Sequence, residues 1–175
     1  KDINTLVNRG GYCTLSIESV GKKFVLENDG PAGLNRHNME IDNTASRPDK
    51  AGWTMFSMPA TIGTSWDTNL AYSFGKSIGA EATAVGVGGW YAPGANMQRS
   101  PFGGRNSEYY SEDSLLSGKM AASSSKGSTS MGVNTYVKHF VVNDQEQNRA
   151  GLKTYLSEQA LREIYLKPFE IAVKE

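Results

Sequence analysis

The stretch TYVKHFVV, residues 135–142, closes an apolar run. Its β-branched and aromatic residues predict a buried strand over residues 135–142. Lys138 and His139 lie side by side at the carboxyl end of this strand, where α/β proteins usually place their chemistry. Lysine is rarely buried without a partner, so two interpretations stay open. Either an oxygen-rich ligand binds between Lys138 and His139, or Lys138 is a structural residue paired with Asp144 or Glu146.

The composition limits the classes of protein that this sequence can belong to. The 175 residues, of which 38% are hydrophobic, predict one domain with a real core. Lysine plus arginine equals aspartate plus glutamate at 18 each, and no basic block occurs, so nothing supports nucleic-acid binding. No apolar run approaches the roughly 20 residues that cross a membrane. The single cysteine, Cys13, forms no internal disulfide and is most simply a small buried residue, so we expect a reducing, cytoplasmic location.

Both ends of the chain indicate a piece of a longer polypeptide. The sequence begins with Lys1 rather than methionine. It ends at Glu175 within a helical pattern that has no glycine or asparagine to stop it.

Three amphipathic helices are predicted. The first covers about residues 66–85 with Ser65 as its N-cap, and the second covers about residues 113–131. The third begins near Ser157, and Pro168 should kink or restart it. The predicted inward positions of the three helices are, in order, Trp66, Leu70, Phe74, Ile78, Ala82 and Val85; Leu116, Met120, Ala121 and Met131; and Leu161, Ile164, Tyr165, Phe169 and Ala172.

Strand-like runs alternate with these helices, at residues 23–27, 86–91 and 135–142. This alternation predicts an α/β fold with a parallel sheet. The loops after the strands are rich in glycine, proline, asparagine and charged residues, which places the active face at the carboxyl ends of the strands. The serine-rich segment 123–130 is interpreted as a polar turn at the end of the second helix.

Two segments carry candidate chemistry. Asp29 lies on a tight turn directly after a strand, where it either initiates the turn or accepts hydrogen bonds from ligand hydroxyls. The loop over residues 96–113 holds two arginines, two tyrosines and three carboxylates. Arginine forks bind carboxylates and neighbouring sugar hydroxyls, and aromatic rings offer an apolar face to pyranose C–H groups. The alternative is an arginine–carboxylate network that only holds a long loop in place.

Other site types find no support in the sequence. The glycines of residues 86–89 lack the spacing of a dinucleotide fingerprint, and no serine has a nucleophile-elbow pattern. His37 and His139 lie far apart without ligand-spaced partners, so we expect neither a metal nor a cofactor.

Five segments, in the same order, are similar to motifs of glycoside hydrolase family 3 enzymes of the β-glucosidase type. They are NDGPAG (28–33), the segment from Trp66-Asp67 to Gly86-Val87, RSPFGGRNSEYYSED (99–113), KHFVVNDQE (138–146) and LREIYLKPFE (161–170). The branch that cleaves N-acetylglucosamine carries KHFPGHG, whereas this chain has Val-Val-Asn at 141–143, which favours the glucosidase branch.

The resemblance implies a TIM-type (β/α)8 barrel, of which residues 1–175 form roughly the N-terminal half. Asp29, Arg105, Lys138 and His139 match the family's pocket residues that hold the terminal non-reducing glucose. Arg99, Glu108 and Tyr109 are possible supporting residues. The matched chemistry is retaining, exo-acting β-glucoside hydrolysis with two carboxylates roughly 5 Å apart.

Neither catalytic carboxylate is present in this chain. In the family, the nucleophilic aspartate follows in a later segment and the acid/base glutamate in a second domain, and a full barrel needs about 250 residues. We therefore expect part of a β-glucosidase that is inactive alone and needs the rest of the barrel and a second domain. The alternative is an inert or engineered half-barrel that keeps part of a sugar-binding face and self-associates.

Three serines depart from the family pattern, which has apolar residues or proline at the positions of Ser57, Ser107 and Ser125. Each would weaken packing by about 1–3 kcal/mol if its site is buried.

Overall fold

The computed structural model describes residues 12–35 and 54–175, so His37 lies outside the described residues. Within them, four strands form one mixed sheet in the order β1-β2-β3-β4. Strand β1 pairs antiparallel with β2, and β2, β3 and β4 run parallel. The strands are β1 (Cys13–Thr14), β2 (Val25–Asp29), β3 (Val87–Tyr91) and β4 (Asn134–Thr135). The predicted α/β fold is confirmed, although β2 begins and ends two residues later than expected.

The predicted strand over residues 135–142 is wrong for most of its length. Strand β4 ends at Thr135, and beyond it only Lys138 makes a bridge, to Gly94. The neighbouring strand β3 ends at Tyr91 and is followed by Pro93, which has no N–H to continue the ladder. The segment then turns outward, with Phe140 72% exposed and Val142 at φ 66°.

The three predicted helices occur in the predicted order, and a short helix before them was not predicted. The helices are α1 (Pro59–Gly63), α2 (Thr68–Ala84), α3 (Ser114–Thr129), α4 (Glu158–Ala160) and α5 (Lys167–Lys174). The predicted N-cap Ser65 is wrong, because the carboxylate of Asp67 accepts hydrogen bonds from the N–H groups of the first turn of α2. Trp66 and Leu70, predicted inward, are 75% and 45% exposed. The face of α2 that enters the core consists of Ala71, Phe74, Gly75, Ile78, Gly79 and Ala82.

Helices α2 and α3 cross at very short range. A Cβ atom at Gly75 would lie 1.9 Å from the carbonyl oxygen of Ser124, and one at Gly127 would lie 2.1 Å from that of Tyr72. The Ser124 hydroxyl contacts the Tyr110 hydroxyl at 2.7 Å and donates to the Ala71 carbonyl. The serine-rich segment is therefore the helix interface and not the polar turn that its composition predicted.

The C-terminal helix restarts at Pro168, as predicted. Ser157 caps α4, a π-helical turn (Leu161–Tyr165) follows, and Pro168 occupies the first turn of α5. Phe169 and Ile171 of α5 are buried. Ile171 packs over α3 where Gly118 leaves room, since a Cβ there would lie 2.8 Å from the Ile171 side chain.

The core connects directly to the turn that carries Asp29. Trp90 of β3 is fully buried, lies edge-on to Phe74 of α2, and donates its indole N–H to the Gly30 carbonyl at 2.9 Å. Gly30 has φ 128°, and a Cβ there would lie 1.8 Å from the Gly33 carbonyl oxygen. Glycine is therefore required at this turn.

The three unusual serines differ in environment. Ser57 and Ser107 are exposed, so the packing penalty considered for them does not apply. The hydroxyl oxygen of Ser125 is buried without a hydrogen-bond partner among the described residues, which costs on the order of 1–3 kcal/mol. Cys13 is a free thiol and only half-buried, contrary to the expectation of a buried residue. None of the described helices is long and apolar enough to span a membrane.

Candidate active site at the carboxyl ends of the parallel strands

A cavity of about 560 Å³ opens beyond the carboxyl ends of β2 and β3. All four residues predicted to bind a ligand line it: Asp29, Arg105, Lys138 and His139. The rest of the lining consists of Tyr91, Tyr136, Val137, Glu146 and Arg149. Side chains 109 positions apart in the sequence, such as Asp29 and Lys138, therefore meet at one site.

Asp29 and Lys138 form an ion pair in the wall of the cavity. Asp29 is the last residue of β2, and its carboxylate accepts from the Gly30 N–H at 2.7 Å and from the Lys138 ammonium at 2.5 Å. The backbone of Lys138 is held by Pro93 and Ala95, at 3.0 and 2.6 Å. The partners of Lys138 are Asp29 and, at 3.7 Å, Glu108. The expectation of a pairing with Asp144 or Glu146 is wrong.

Glu108 connects the two half-buried cations, Arg105 and Lys138. Its carboxylate accepts two hydrogen bonds from Arg105 in a bidentate arrangement, one from Nε at 2.6 Å and one from Nη2 at 2.8 Å. Burial alone would lower the pKa of Arg105, but the hydrogen bonds and charge of Glu108 raise it above its ordinary value. On its other side Arg105 lies 3.8 Å from Glu146, which also pairs with Arg149 at 2.8 Å.

These contacts form a continuous series of alternating charges: Asp29, Lys138, Glu108, Arg105, Glu146 and Arg149. Each half-buried cation is neutralised by a carboxylate on either side, which makes its desolvation tolerable. The side chains are thereby held in place before any ligand arrives, and the cavity presents both donors and acceptors.

His139 is a neutral imidazole at neutral pH. Burial, reinforced by the charges of Arg105 and Lys138, lowers the pKa of His139 to about 4. Its Nδ1 lies 3.1 Å from the Tyr109 hydroxyl. Its backbone is held by Asn96, whose amide donates to the His139 carbonyl at 2.9 Å and accepts from the His139 N–H.

The supporting residues predicted from the sequence have separate positions. Glu108 and Tyr109 lie directly behind the cavity, and Tyr109 is only 1% exposed; burial raises its pKa to about 12. Arg99 does not line the cavity, and its guanidinium carbon lies 5.9 Å from the ring centre of Tyr165. Tyr165 in turn donates to Asp144 at 2.7 Å, which ties the loop after Lys138 to the C-terminal helical segment.

The sequence analysis did not predict five of the lining residues as part of the site, namely Tyr91, Tyr136, Val137, Glu146 and Arg149. Tyr136 lies two positions before Lys138, so a strand-like alternation could have placed both on one face. Arg149 follows Glu146 by three positions, which is the spacing of the ion pair they form. Among the residues that the structure describes, no group of three or more His, Cys, Asp or Glu side chains could hold a metal ion.

Together these features define an α/β protein with a preorganised, charged and aromatic cavity at the carboxyl edge of parallel strands, the arrangement typical of barrel enzymes. Residues 39–175 match the family described as "Glycosyl hydrolase family 3 N terminal domain", and the chain belongs to this family. The resemblance found in the sequence is thus confirmed.

Several relatives of known sequence or structure are β-glucosidases. The chain is 39% identical over 178 residues to thermostable β-glucosidase B of Acetivibrio thermocellus, a match that covers 98% of this chain and 23% of that protein. It is 43% identical to β-glucosidase 3B of Thermotoga neapolitana, whose structure was determined in complex with α-D-glucose; the TM-score is 0.82 and the match covers 94% of this chain and 23% of that one. The family 3 β-glucosidase of Bifidobacterium adolescentis aligns with a TM-score of 0.84 at 33% identity, over 99% of this chain and 24% of that one.

The chain therefore spans about a quarter of the length of these relatives. Its mixed sheet with flanking helices is consistent with part of a TIM-type barrel, as predicted.

Proposed function

We propose that this chain is the N-terminal part of the barrel of a retaining, exo-acting β-glucosidase and supplies one side of the pocket for the terminal non-reducing glucosyl residue. The observation that carries this proposal is the convergence of Asp29, Arg105, Lys138 and His139 on one cavity. Asp29 accepts hydrogen bonds from sugar hydroxyls, and Lys138 and Arg105 donate to sugar oxygens. Neutral His139 both donates and accepts through its two ring nitrogens.

The charges of the cavity support a binding role for its own carboxylates. Asp29 already pairs with Lys138, and Glu146 pairs with Arg105 and Arg149. Both carboxylates are thus engaged in ion pairs with the cations of the cavity, which fits a role in binding. The nucleophile and the acid/base residue then come from sequence outside this chain, and the 175-residue polypeptide alone is inactive.

Glu108 acts as a positioning residue in this proposal. Because it takes the Nε edge of Arg105, the Nη1 edge is left to face Glu146 and the cavity. The same carboxylate approaches Lys138. One half-buried acid thus sets the orientation of both cations that hold the sugar.

The test uses the complete gene product that contains this chain. It should hydrolyse 4-nitrophenyl β-D-glucoside and shorten cellotriose from the non-reducing end. Proton NMR should show β-glucose as the anomer that is released first. Asp29→Asn should lower kcat/KM by about 10- to 100-fold, because one charged hydrogen-bond acceptor is lost. Glu112→Gln, an exposed change in the neighbouring loop, is the matched control and should keep kcat/KM within about twofold.

Two results would contradict the proposal. One is a folded gene product that releases no glucose, and the other is an Asp29→Asn variant that behaves as the Glu112→Gln control does.

A further inference from the structure

A second cluster lies in the wall of the same cavity and is built around Glu27. The side chain of Glu27, in the centre of the sheet on β2, is only 2% exposed. Both of its carboxylate oxygens accept hydrogen bonds from phenols, one from Tyr136 at 2.7 Å and one from Tyr91. No lysine or arginine pairs with it in the described parts of the chain.

The sheet leaves room for this cluster at one position. Glu27 faces Gly89 of β3 in the strand register. A Cβ atom at Gly89 would lie 2.8 Å from the Glu27 side chain and 2.9 Å from the Tyr136 ring. Any other residue at position 89 would displace either the Glu27 side chain or the Tyr136 ring, so the positions of these two side chains depend on this glycine.

The two rings are close neighbours and belong to the cavity. Tyr91 and Tyr136 both line it, beside Asp29 and Lys138. Their ring centres are 5.0 Å apart at an angle of 54°. Burial, together with the hydrogen bond to Glu27, raises the pKa of Tyr136 to about 12 and raises that of Tyr91 as well. Each phenol therefore stays protonated and donates a hydrogen bond to Glu27.

We infer that Tyr91 and Tyr136 form an aromatic platform for the apolar C–H face of the pyranose ring, and that Glu27 is the positioning residue that holds both rings. The inference rests on the proposed function, because it takes the ligand of the cavity to be a sugar. It adds recognition of the ring's apolar face to the hydroxyl recognition by Asp29, Lys138 and Arg105. Aromatic rings favour such contacts, and the hydrogen bonds that the two phenols donate to Glu27 hold the rings before binding.

The experiment measures steady-state kinetics of the complete gene product with 4-nitrophenyl β-D-glucoside, and inhibition by glucose. Tyr136→Leu removes one ring and should raise KM and the glucose inhibition constant together, by about 3- to 10-fold, with kcat within about twofold. This split is expected because the platform contacts the sugar equally in the ground and transition states. Tyr136→Phe keeps the ring and should change both constants less than Tyr136→Leu does.

Glu27→Gln tests the positioning role and does not depend on the leucine variant folding. The amide has one accepting oxygen, so only one phenol can still donate to it and the other must reorient to accept from the amide N–H. KM should therefore rise by about 2- to 5-fold at nearly constant kcat. Tyr155→Leu is the control, since Tyr155 is 86% exposed and outside the cavity. Melting temperatures of all variants report damage to the fold separately.

The outcomes separate the two proposals. If the wild-type gene product hydrolyses the glucoside but Tyr136→Leu and Glu27→Gln match the Tyr155→Leu control, the platform is overturned and the proposed function stands. If Tyr136→Leu does not fold, an unchanged KM in Glu27→Gln alone overturns the inference. If the wild type neither hydrolyses the glucoside nor binds glucose, the proposed function fails and the platform fails with it.

Discussion

At the scale of single residues, His139 shows how the surroundings of a side chain decide its chemistry. An imidazole beside Tyr109 and between two cations is costly to protonate, because burial and the charges of Arg105 and Lys138 act in the same direction. Asp29 and Glu146 oppose this effect without reversing it. His139 therefore stays neutral and can accept a hydrogen bond as well as donate one.

This depressed pKa predicts a pH dependence of stability. The pKa of His139 is about 4 in the folded chain against 6.5 for a free histidine. Between these values the unfolded chain binds a proton that the folded chain does not. The contribution of His139 to the free energy of unfolding is therefore complete above about pH 6.5. It falls as the pH drops toward 4, by up to about 1.4 kcal/mol per pH unit for a whole proton.

The measurement is the urea unfolding midpoint of the chain from pH 4 to pH 8, for wild type and His139→Gln. The wild type should lose more stability than the variant below pH 6.5, and the two curves should run parallel above it. Contributions from the carboxylates and from the other histidine, His37, are common to both proteins. Parallel curves over the whole range would show that His139 titrates normally.

The residue types of the site could be predicted from the sequence, but their partners could not. The motifs around Asp29, Arg105, Lys138 and His139 identified the four side chains that meet in the cavity. The carboxylates that pair with Lys138 come from a strand 109 positions away and from the loop that carries Glu108. Charge spacing along the chain favoured the nearby Asp144 and Glu146, and only the folded sheet brings Asp29 closer.

At the scale of elements, the helix pair α2–α3 depends on the absence of side chains. Periodicity gave the extent of both helices correctly, since the repeat of apolar residues reports helix formation. It placed Trp66 and Leu70 inward because it weighs size and hydrophobicity. The structure instead buries glycine, alanine and serine at the crossing, where backbones approach too closely for large residues.

Gly75→Ala is expected to destabilise the chain by at least about 1–3 kcal/mol, as overpacking does. The new Cβ would lie 1.9 Å from the Ser124 carbonyl oxygen, so the helices would have to separate. This cost must exceed the gain of about 1 kcal/mol that alanine brings to a helix interior. Chemical denaturation measures the difference.

Gly151→Ala is the matched control for that change. A Cβ at Gly151 meets nothing within 4 Å, so its effect should stay within about 0.5 kcal/mol. A Gly75→Ala variant as stable as the wild type, or more stable, would contradict the close crossing of the two helices.

At the scale of the whole molecule, the described sheet ends in a short edge strand on each side. Strand β1 pairs only with β2, in antiparallel fashion, and β4 pairs only with β3 within the described residues. The family motifs predicted a half-barrel from sequence, but the antiparallel strand could not be predicted, because two residues carry no usable periodicity. An unpaired strand edge offers free N–H and C=O groups to any partner.

This geometry predicts that the isolated 175-residue polypeptide self-associates through its sheet edges, one of which is β4. Light scattering after size exclusion should give a mass above the 19.0 kDa of one chain, rising with concentration. Asn134→Lys places a charge on the exposed edge strand and should shift the distribution toward the monomer. Thr154→Lys adds the same charge at an exposed loop position away from the sheet and should leave association unchanged. A monodisperse 19.0 kDa species at high concentration would show that the β4 edge is already satisfied within the chain. Only Asn134 lies on the strand. If both lysine variants reduce association equally, the effect is therefore due to net charge and not to the β4 edge.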